Sequence, residues 1–411
     1  SIAYFLIYFF FFIRVDNNFS SFGTIPIINK DKIQPGYTLI APYNRQMNPV
    51  DWTGRIYLLD LLGNPVHIWK TKHQPLYAIL QKNGNLLVAI EDPVFDPKLP
   101  PGGNTGIIQE LSWDSKVLWE YKNRMLHHDI VPLENGNVLV ALWEKTPDAI
   151  AASVQGGVLG TELNGAIFSD EIAEINRQGE KVWSWHSYEH QDPALDTIGD
   201  LIPRYGWTYT NGMKYLDKDP IEGKEALLLS MRSQSTVFIV RIEDGQIIWR
   251  SPKGMVNVQH DPTLLDNGNI LVFDNGLTRI PNPHPLFGSR VLEINPKTNQ
   301  IDWQFNGGKS VIEKVRFLAP ITSGAQRLKN GNTLITDGPK GHIFEVTKDG
   351  ELVWDLINPY FAKSNSPWPV NFLFKVRRYS EDEINWPEKI APPINDFTFN
   401  LYLTLSQIYP R

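Results

Sequence analysis

Asn267-Gly268-Asn269-Ile270-Leu271-Val272-Phe273 is a turn running into an apolar β segment, and its opening triplet returns at Asn83-Gly84-Asn85, Asn135-Gly136-Asn137 and Asn330-Gly331-Asn332. Asn-Gly between apolar runs signals a hairpin, because both central residues of the tight turn are expected at positive φ, which Gly and Asn adopt cheaply. The runs that follow, such as Asn332-Thr333-Leu334-Ile335, read as strands. Four copies of one turn point to an internal repeat.

A second signal alternates with the first: an apolar strand, a glycine turn and a strand ending in tryptophan. Ile242-Glu243-Asp244-Gly245-Gln246-Ile247-Ile248-Trp249 and Val346-Thr347-Lys348-Asp349-Gly350-Glu351-Leu352-Val353-Trp354 show it most clearly, with matching endings at Trp69, Trp119, Trp183 and Trp303. Each unit therefore holds four strands over roughly 50 residues, the size of a propeller blade. The units fall at about 25–70, 76–120, 127–186, 209–250, 259–305 and 323–358, with Pro35-Gly36 and the loop Asp217 to Lys224 standing in for the missing triplets. The expected fold is all-β, a six-bladed β-propeller of four-stranded antiparallel blades over 25–375, with residues 1–24 as an apolar N-terminal segment and 376–411 as a C-terminal extension packed on the outside. The tryptophans read as packing between blades.

The 411 residues are 42% hydrophobic and carry 39 Lys and Arg against 45 Asp and Glu. No long basic run is present to track a phosphate backbone, so nucleic acid is not an expected partner. The absence of cysteine excludes disulfides, thiolate metal sites and a cysteine nucleophile. Ile2 to Ile13, stopped by Arg14, has the length of a signal h-region and falls short of the roughly 20 residues that span a bilayer. It reads as an export signal or anchor, which places the protein in the periplasm or tethered to a membrane facing outward.

The chemistry is expected at one mouth of the ring. His128-Asp129 and His260-Asp261 stand at the same distance before Asn135 and Asn267, at the starts of first strands that line a central channel. First-strand starts and second-strand ends meet at that mouth, which adds Tyr209, Asn211 and Arg232. Two imidazoles, a phenol, an amide and a guanidinium make an anion site: arginine presents a planar fork to a tetrahedral oxyanion, and imidazole serves as nucleophile or base near neutral pH. His127 points to the opposite face of its strand, and the remaining histidines, His67 and His186 among them, read as ordinary surface groups. Asp129 and Asp261 are expected to orient neighbouring groups rather than bind metal. The glycines of Pro101-Gly102-Gly103-Asn104 lack the strand-to-helix setting of a phosphate loop.

From about Gly36 to Tyr379 the chain resembles the arylsulfotransferase (aryl-sulfate sulfotransferase, ASST) family. The resemblance rests on Gly36-Tyr37-Thr38-Leu39, His128-Asp129, Trp207-Thr208-Tyr209-Thr210-Asn211, Gln259-His260-Asp261, Phe273-Asp274-Asn275-Gly276, Ser289-Arg290-Val291-Leu292-Glu293 and Gln326-Arg327-Leu328. It implies transfer of a sulfuryl group from a small aromatic sulfate donor to a phenolic acceptor through a sulfohistidine, with no cofactor. On that pattern His260 is the nucleophile, His128 a second imidazole, Asn211 a donor to sulfuryl oxygens and Arg232 the anion clamp. Tyr209 stands where the family has a further histidine. The competing reading is an inactive propeller that serves as a ligand- or protein-binding module; a redox propeller lacks a ligand set.

Overall fold

The computed structural model describes residues 29–43, 54–94, 96–279, 288–360 and 371–393, so the apolar segment 1–24 lies outside the described residues. Among the described residues six four-stranded antiparallel sheets form the blades of a propeller, and two short two-stranded sheets accompany them. In chain order the innermost strands of blades two to six are Pro75–Leu80, Leu126–Pro132, Thr210–Leu216, His260–Leu264 and Gly324–Arg327. The innermost strands of blades three, four, five and six pack on one another in turn. Outer strands such as Val117–Lys122 and Gln300–Phe305 are largely exposed or half-buried, whereas second and third strands such as Leu86–Glu91 and Gly106–Leu111 are buried.

Blade one is built from both ends of the chain. Arg377–Tyr379 pairs with Tyr37–Ile40, which pairs with Gly54–Leu59 and so with Pro65–Thr71. The expectation that residues beyond Val376 lie on the outside is thereby corrected: Arg377–Tyr379 is the innermost strand of blade one. A ring of sheets has an unpaired edge until its first and last segments meet, and this pairing removes it.

The hairpin turns differ in detail from the expected geometry. Gly84, Gly136, Gly268 and Gly331 have φ between 82° and 88°, whereas the asparagine before each does not have positive φ. Its side chain instead accepts the backbone N–H two residues on, at 2.9 to 3.0 Å, making an Asx turn. The third member of each triplet reaches into the blade: Asn85, Asn137, Asn269 and Asn332 donate Nδ2 to Glu110, Glu174, Glu293 and Glu345 on the third strands. Arg177, Arg327 and Arg378 pair with Glu110, Glu293 and Glu345 while lying over the Trp119, Trp303 and Trp354 rings. Triplet and tryptophan, separate signals in the sequence, thus belong to one repeated contact.

Each tryptophan also latches onto the next blade. Trp119, Trp249, Trp303 and Trp354 donate Nε1 to Arg177 O, Asn299 Oδ1, Lys348 O and Leu61 O, at 2.6 to 2.9 Å. Two blades depart from the expected set. In blade three the donor is the fully buried Trp185, bonded to Gly245 O, rather than Trp183. In blade one Trp69 is buried packing, and His67 Nε2 donates to Trp113 O at 2.8 Å, so His67 is a latch rather than a surface group.

Candidate active site

The site follows from the way innermost strands begin. Register shifts interrupt their pairing near His128, Asn211 and His260, and residues there adopt left-handed backbone: φ is 50° at His128, 55° at Tyr209 and 54° at Asp261. Bulges re-aim side chains, and non-glycine residues in this region cost about 1–3 kcal/mol each, so surrounding contacts must hold them. One consequence is that adjacent residues part company, the histidines turning to one mouth and the aspartates into the channel.

Asp129 and Asp261 join a buried ion network. Asp129 accepts from Tyr77 and from Lys375 Nζ (2.7 Å), and its other oxygen accepts from the Met213 N–H (2.8 Å). Asp261 pairs with Arg377, with Lys214 and Lys375 each at 4.0 Å. Burial alone would raise the Asp129 carboxyl, but Lys375, Lys214 and Tyr77 outweigh it and bring it to about 2.

At the mouth, His128, Tyr209, Arg232 and His260 line one cavity of about 320 Å³. Leu76, Leu99, Phe372 and Phe374 add apolar wall, and Gly102 and Gly103 bring the loop after Leu99 against it. That loop closely fits the cavity side chains: a Cβ on Gly103 would fall 2.4 Å from His128 Nε2, and one on Gly102 2.4 Å from the Tyr209 hydroxyl. The rim is mixed in charge, with Glu91, Asp92, Asp96 and Arg124; Tyr43 donates to Glu91 at 2.6 Å.

His260 is held in one tautomer. The amide of the buried Asn275 donates Nδ2 to Ala319 O (2.7 Å) and Thr322 O (2.9 Å), so its Oδ1 is an acceptor. His260 Nδ1, 2.7 Å from that Oδ1, is therefore the donor, and Nε2 keeps its lone pair. Burial first, then the Arg232 charge, lower His260 to about 3, so the ring is neutral at physiological pH. Arg232 is 9% exposed and lies 5.1 Å from the Tyr209 ring centroid; among the described residues its side chain makes no hydrogen bond or ion pair. A buried guanidinium without a counter-charge is a site that an anion completes.

Tyr209 donates to Pro101 O at 2.6 Å and stands edge-on to His128, ring centroids 4.9 Å apart. His128 is lowered well below its usual value by burial and then by His127, His260, Arg232 and Lys375. Asn211 is not brought to the cavity wall. Its Nδ2 donates to Gln259 O at 2.8 Å, tying blade four to the residue before His260. Sequence reasoning passed over Asn275 as the partner of His260, and Phe374; Asn275 follows the second strand directly, where strand ends reach the same mouth. Away from the cavity, Glu144, Glu171 and His186 hold ligand atoms within 4.8 Å of one another, but His186 pairs with Glu144 and Lys181 with Glu171.

Comparison with known proteins bears on this geometry. The sequence model described as Arylsulfotransferase (ASST) matches residues 79–359, which include His128, Tyr209, Arg232 and His260. The chain belongs to the arylsulfotransferase family. Membership carries aryl sulfotransferase activity in general and implies an aryl sulfate donor and a phenol acceptor. Among curated proteins none matches the chain. Of solved structures, a protein of unknown function from Bacteroides caccae is 13% identical, with 85% of this chain and all (100%) of that one covered at a TM-score of 0.51, a likeness of fold. A virginiamycin B lyase from Staphylococcus aureus is 10% identical over 74% of this chain and 84% of that one, TM-score 0.39. A functionally unknown protein from Desulfotomaculum acetoxidans is 7% identical over 84% and 99%, TM-score 0.43.

Proposed function

We propose that this arylsulfotransferase moves a sulfuryl group from an aryl sulfate to a phenol through a sulfated His260. The observation that carries the reading is a neutral imidazole in the tautomer set by Asn275, with Nε2 the unprotonated nitrogen, in a cavity shared with the Arg232 guanidinium, which has no ion-pair partner among the described residues. In the first half-reaction Nε2 attacks sulfur, the S–O bond breaks with its electron pair on the aryl oxygen, and that oxygen takes a proton from His128 and leaves as phenol. In the second a phenol oxygen attacks sulfur and gives its proton to His128, the S–N bond breaks, and its electron pair returns to Nε2. Such transfers pass through a loose transition state, so fixed positive charge and positioning supply most of the catalysis, as in phosphoryl transfer. Arg232 clamps the sulfuryl oxygens, His128 serves the aryl oxygen, Tyr209 shapes the wall beside it, and Asn211 braces the strand that carries His260.

Incubation with excess aryl sulfate and no acceptor, followed by intact-mass measurement, tests this. One acid-labile sulfuryl adduct is expected, lost in His260→Ala and discharged by phenol. An unmodified protein with no turnover across a panel of donors would sink the reading and favour the binding module. We also propose export, on the strength of the Ile2 to Ile13 run; recovery of the protein in the cytoplasm on cell fractionation would refute it.

A further inference from the structure

A depressed His128 presents a chemical difficulty that its neighbours resolve. The aryl oxygen must receive a proton as it leaves the donor and give one up as the acceptor attacks, yet His128 is buried and faces cationic or ionisable nitrogen from His127, His260, Arg232 and Lys375. It does not readily carry a charge of its own. Behind it, His127 Nδ1 lies 2.9 Å from His128 Nδ1, and His127 Nε2 lies 3.3 Å from Asp170 Oδ1. Both side chains of the latter pair are fully buried; the two atoms lie at ion-pair distance, and neither makes a hydrogen bond among the described residues. The second Asp170 oxygen accepts from Thr208 Oγ1 (2.7 Å), Thr210 Oγ1 (2.6 Å) and the Thr210 N–H (2.6 Å). Trp143 stacks on His127 at 4.0 Å and fixes its plane.

We infer that Asp170, His127 and His128 form a proton relay in which His128 changes tautomer while the positive charge rests on His127 beside Asp170. The contact between the two Nδ1 atoms admits one proton, and its owner sets the state of the cavity-side nitrogen. With His127 doubly protonated, its Nδ1–H donates to His128, whose proton is then on Nε2, ready for a leaving aryl oxygen. As that proton departs, the Nδ1 proton of His127 crosses to His128 Nδ1. His128 is still neutral, now with a bare Nε2 that accepts the proton of the incoming phenol while the Nδ1 proton returns to His127. Each half-reaction moves one proton between the aryl oxygen and His128 and one between the two histidines, Asp170 stays ionised, no charge appears on His128, and the cycle closes. His127 and Asp170 act through His128 and are positioning residues. Burial works to raise the Asp170 carboxyl, but the His127 imidazole and the threonine donors hold it below its ordinary value, in keeping with an anion that supports the charge.

The inference rests on the sulfuryl-transfer reading and is separable from it by the donor used. 4-Nitrophenyl sulfate expels a stabilised phenolate that needs little protonation; phenyl sulfate expels a basic one. In single-turnover phenol release, Asp170→Asn should slow phenyl sulfate by about 10²-fold and 4-nitrophenyl sulfate at least about tenfold less, the mark of a lost general acid. Equal slowing of both donors would mean mere structural damage and would overturn the relay while leaving the transfer reading intact. If the wild-type protein gives no burst with either donor, the transfer reading fails and the relay with it. Should Asp170→Asn not fold, ¹⁵N-histidine spectra of the wild-type protein decide. In the resting protein hydrogen should lie on Nε2 of a neutral His128, with the proton of the Nδ1–Nδ1 contact held by His127; a charged His128, or one with hydrogen on Nδ1 alone, overturns the proposal.

Discussion

A Cβ at residue 103 would meet the His128 ring edge at 2.3 to 2.5 Å, and the φ of 66° there is strained for any residue but glycine. Gly103→Ala should therefore leave the blades intact while displacing either the loop or His128. We expect kcat for phenol release to fall by about 10²-fold, as a displacement near 1 Å can do, with a melting temperature within a few degrees of the parent. At His260 the demand is for one tautomer. Asn275→Leu removes the acceptor for Nδ1–H and takes the amide donor from the Ala319 and Thr322 carbonyls, leaving Ala319 O only the longer Ser289 Oγ contact. Sulfuryl adduct formation should slow by about 10²–10⁴-fold, the scale on which misplaced acid–base and nucleophile machinery fails. An adduct formed at the parent rate would show that the tautomer is set elsewhere.

Among elements, the seam between blades carries the repeat. Arg378 pairs with Glu345 with both side chains at most 1% exposed, lies 4.4 Å from the Trp354 ring centroid, and belongs to the strand that closes the ring. Breaking such a buried pair from one side costs about 3–5 kcal/mol, because the remaining charge is left in low dielectric. Arg378→Met should lower unfolding free energy by about that amount, and adding Glu345→Gln should recover part of it. Chemical denaturation of the two variants measures both. The tryptophan latch serves the same seam in a second way, and the substitution of His67 for it in blade one shows that the requirement is a flat ring with an N–H aimed at the next turn.

Taken whole, the molecule is a ring whose axis is filled by charge. Asp129, Asp261, Lys214, Lys375 and Arg377 arrive from blades three, five, four and one, with Lys375 just ahead of the closing strand. Because the folded Asp129 sits near 2 against 3.8 for the free group, its contribution is present above the unfolded value and is lost as pH falls through the folded one. That single shift corresponds to about 2 kcal/mol. Thermal unfolding followed from pH 6 downward should show its steepest loss between about pH 4 and 2. Lys375→Met removes the largest favourable charge on Asp129, so the acid transition should move to higher pH. A variant with an unchanged acid profile would count against the channel network as the source of the effect.

Architecture was legible from local chemistry alone. A turn built on an asparagine side chain and a glycine at positive φ, and a tryptophan at a fixed strand position, recur because blades meet equivalent neighbours, so periodicity announced both blade and blade count. The convergence of His128, Tyr209, Arg232 and His260 on one cavity was legible for the same reason, since equivalent positions in a ring meet at its mouth. What only the tertiary structure decided was direction and partnership. Bulges sent His128 and Asp129 opposite ways, Asn211 spent its amide on a neighbouring strand, and Arg377–Tyr379 crossed the whole chain length to complete blade one. Those outcomes depend on which groups burial brings together, and a buried polar group takes whichever partner lies within reach in space, whatever its distance along the chain.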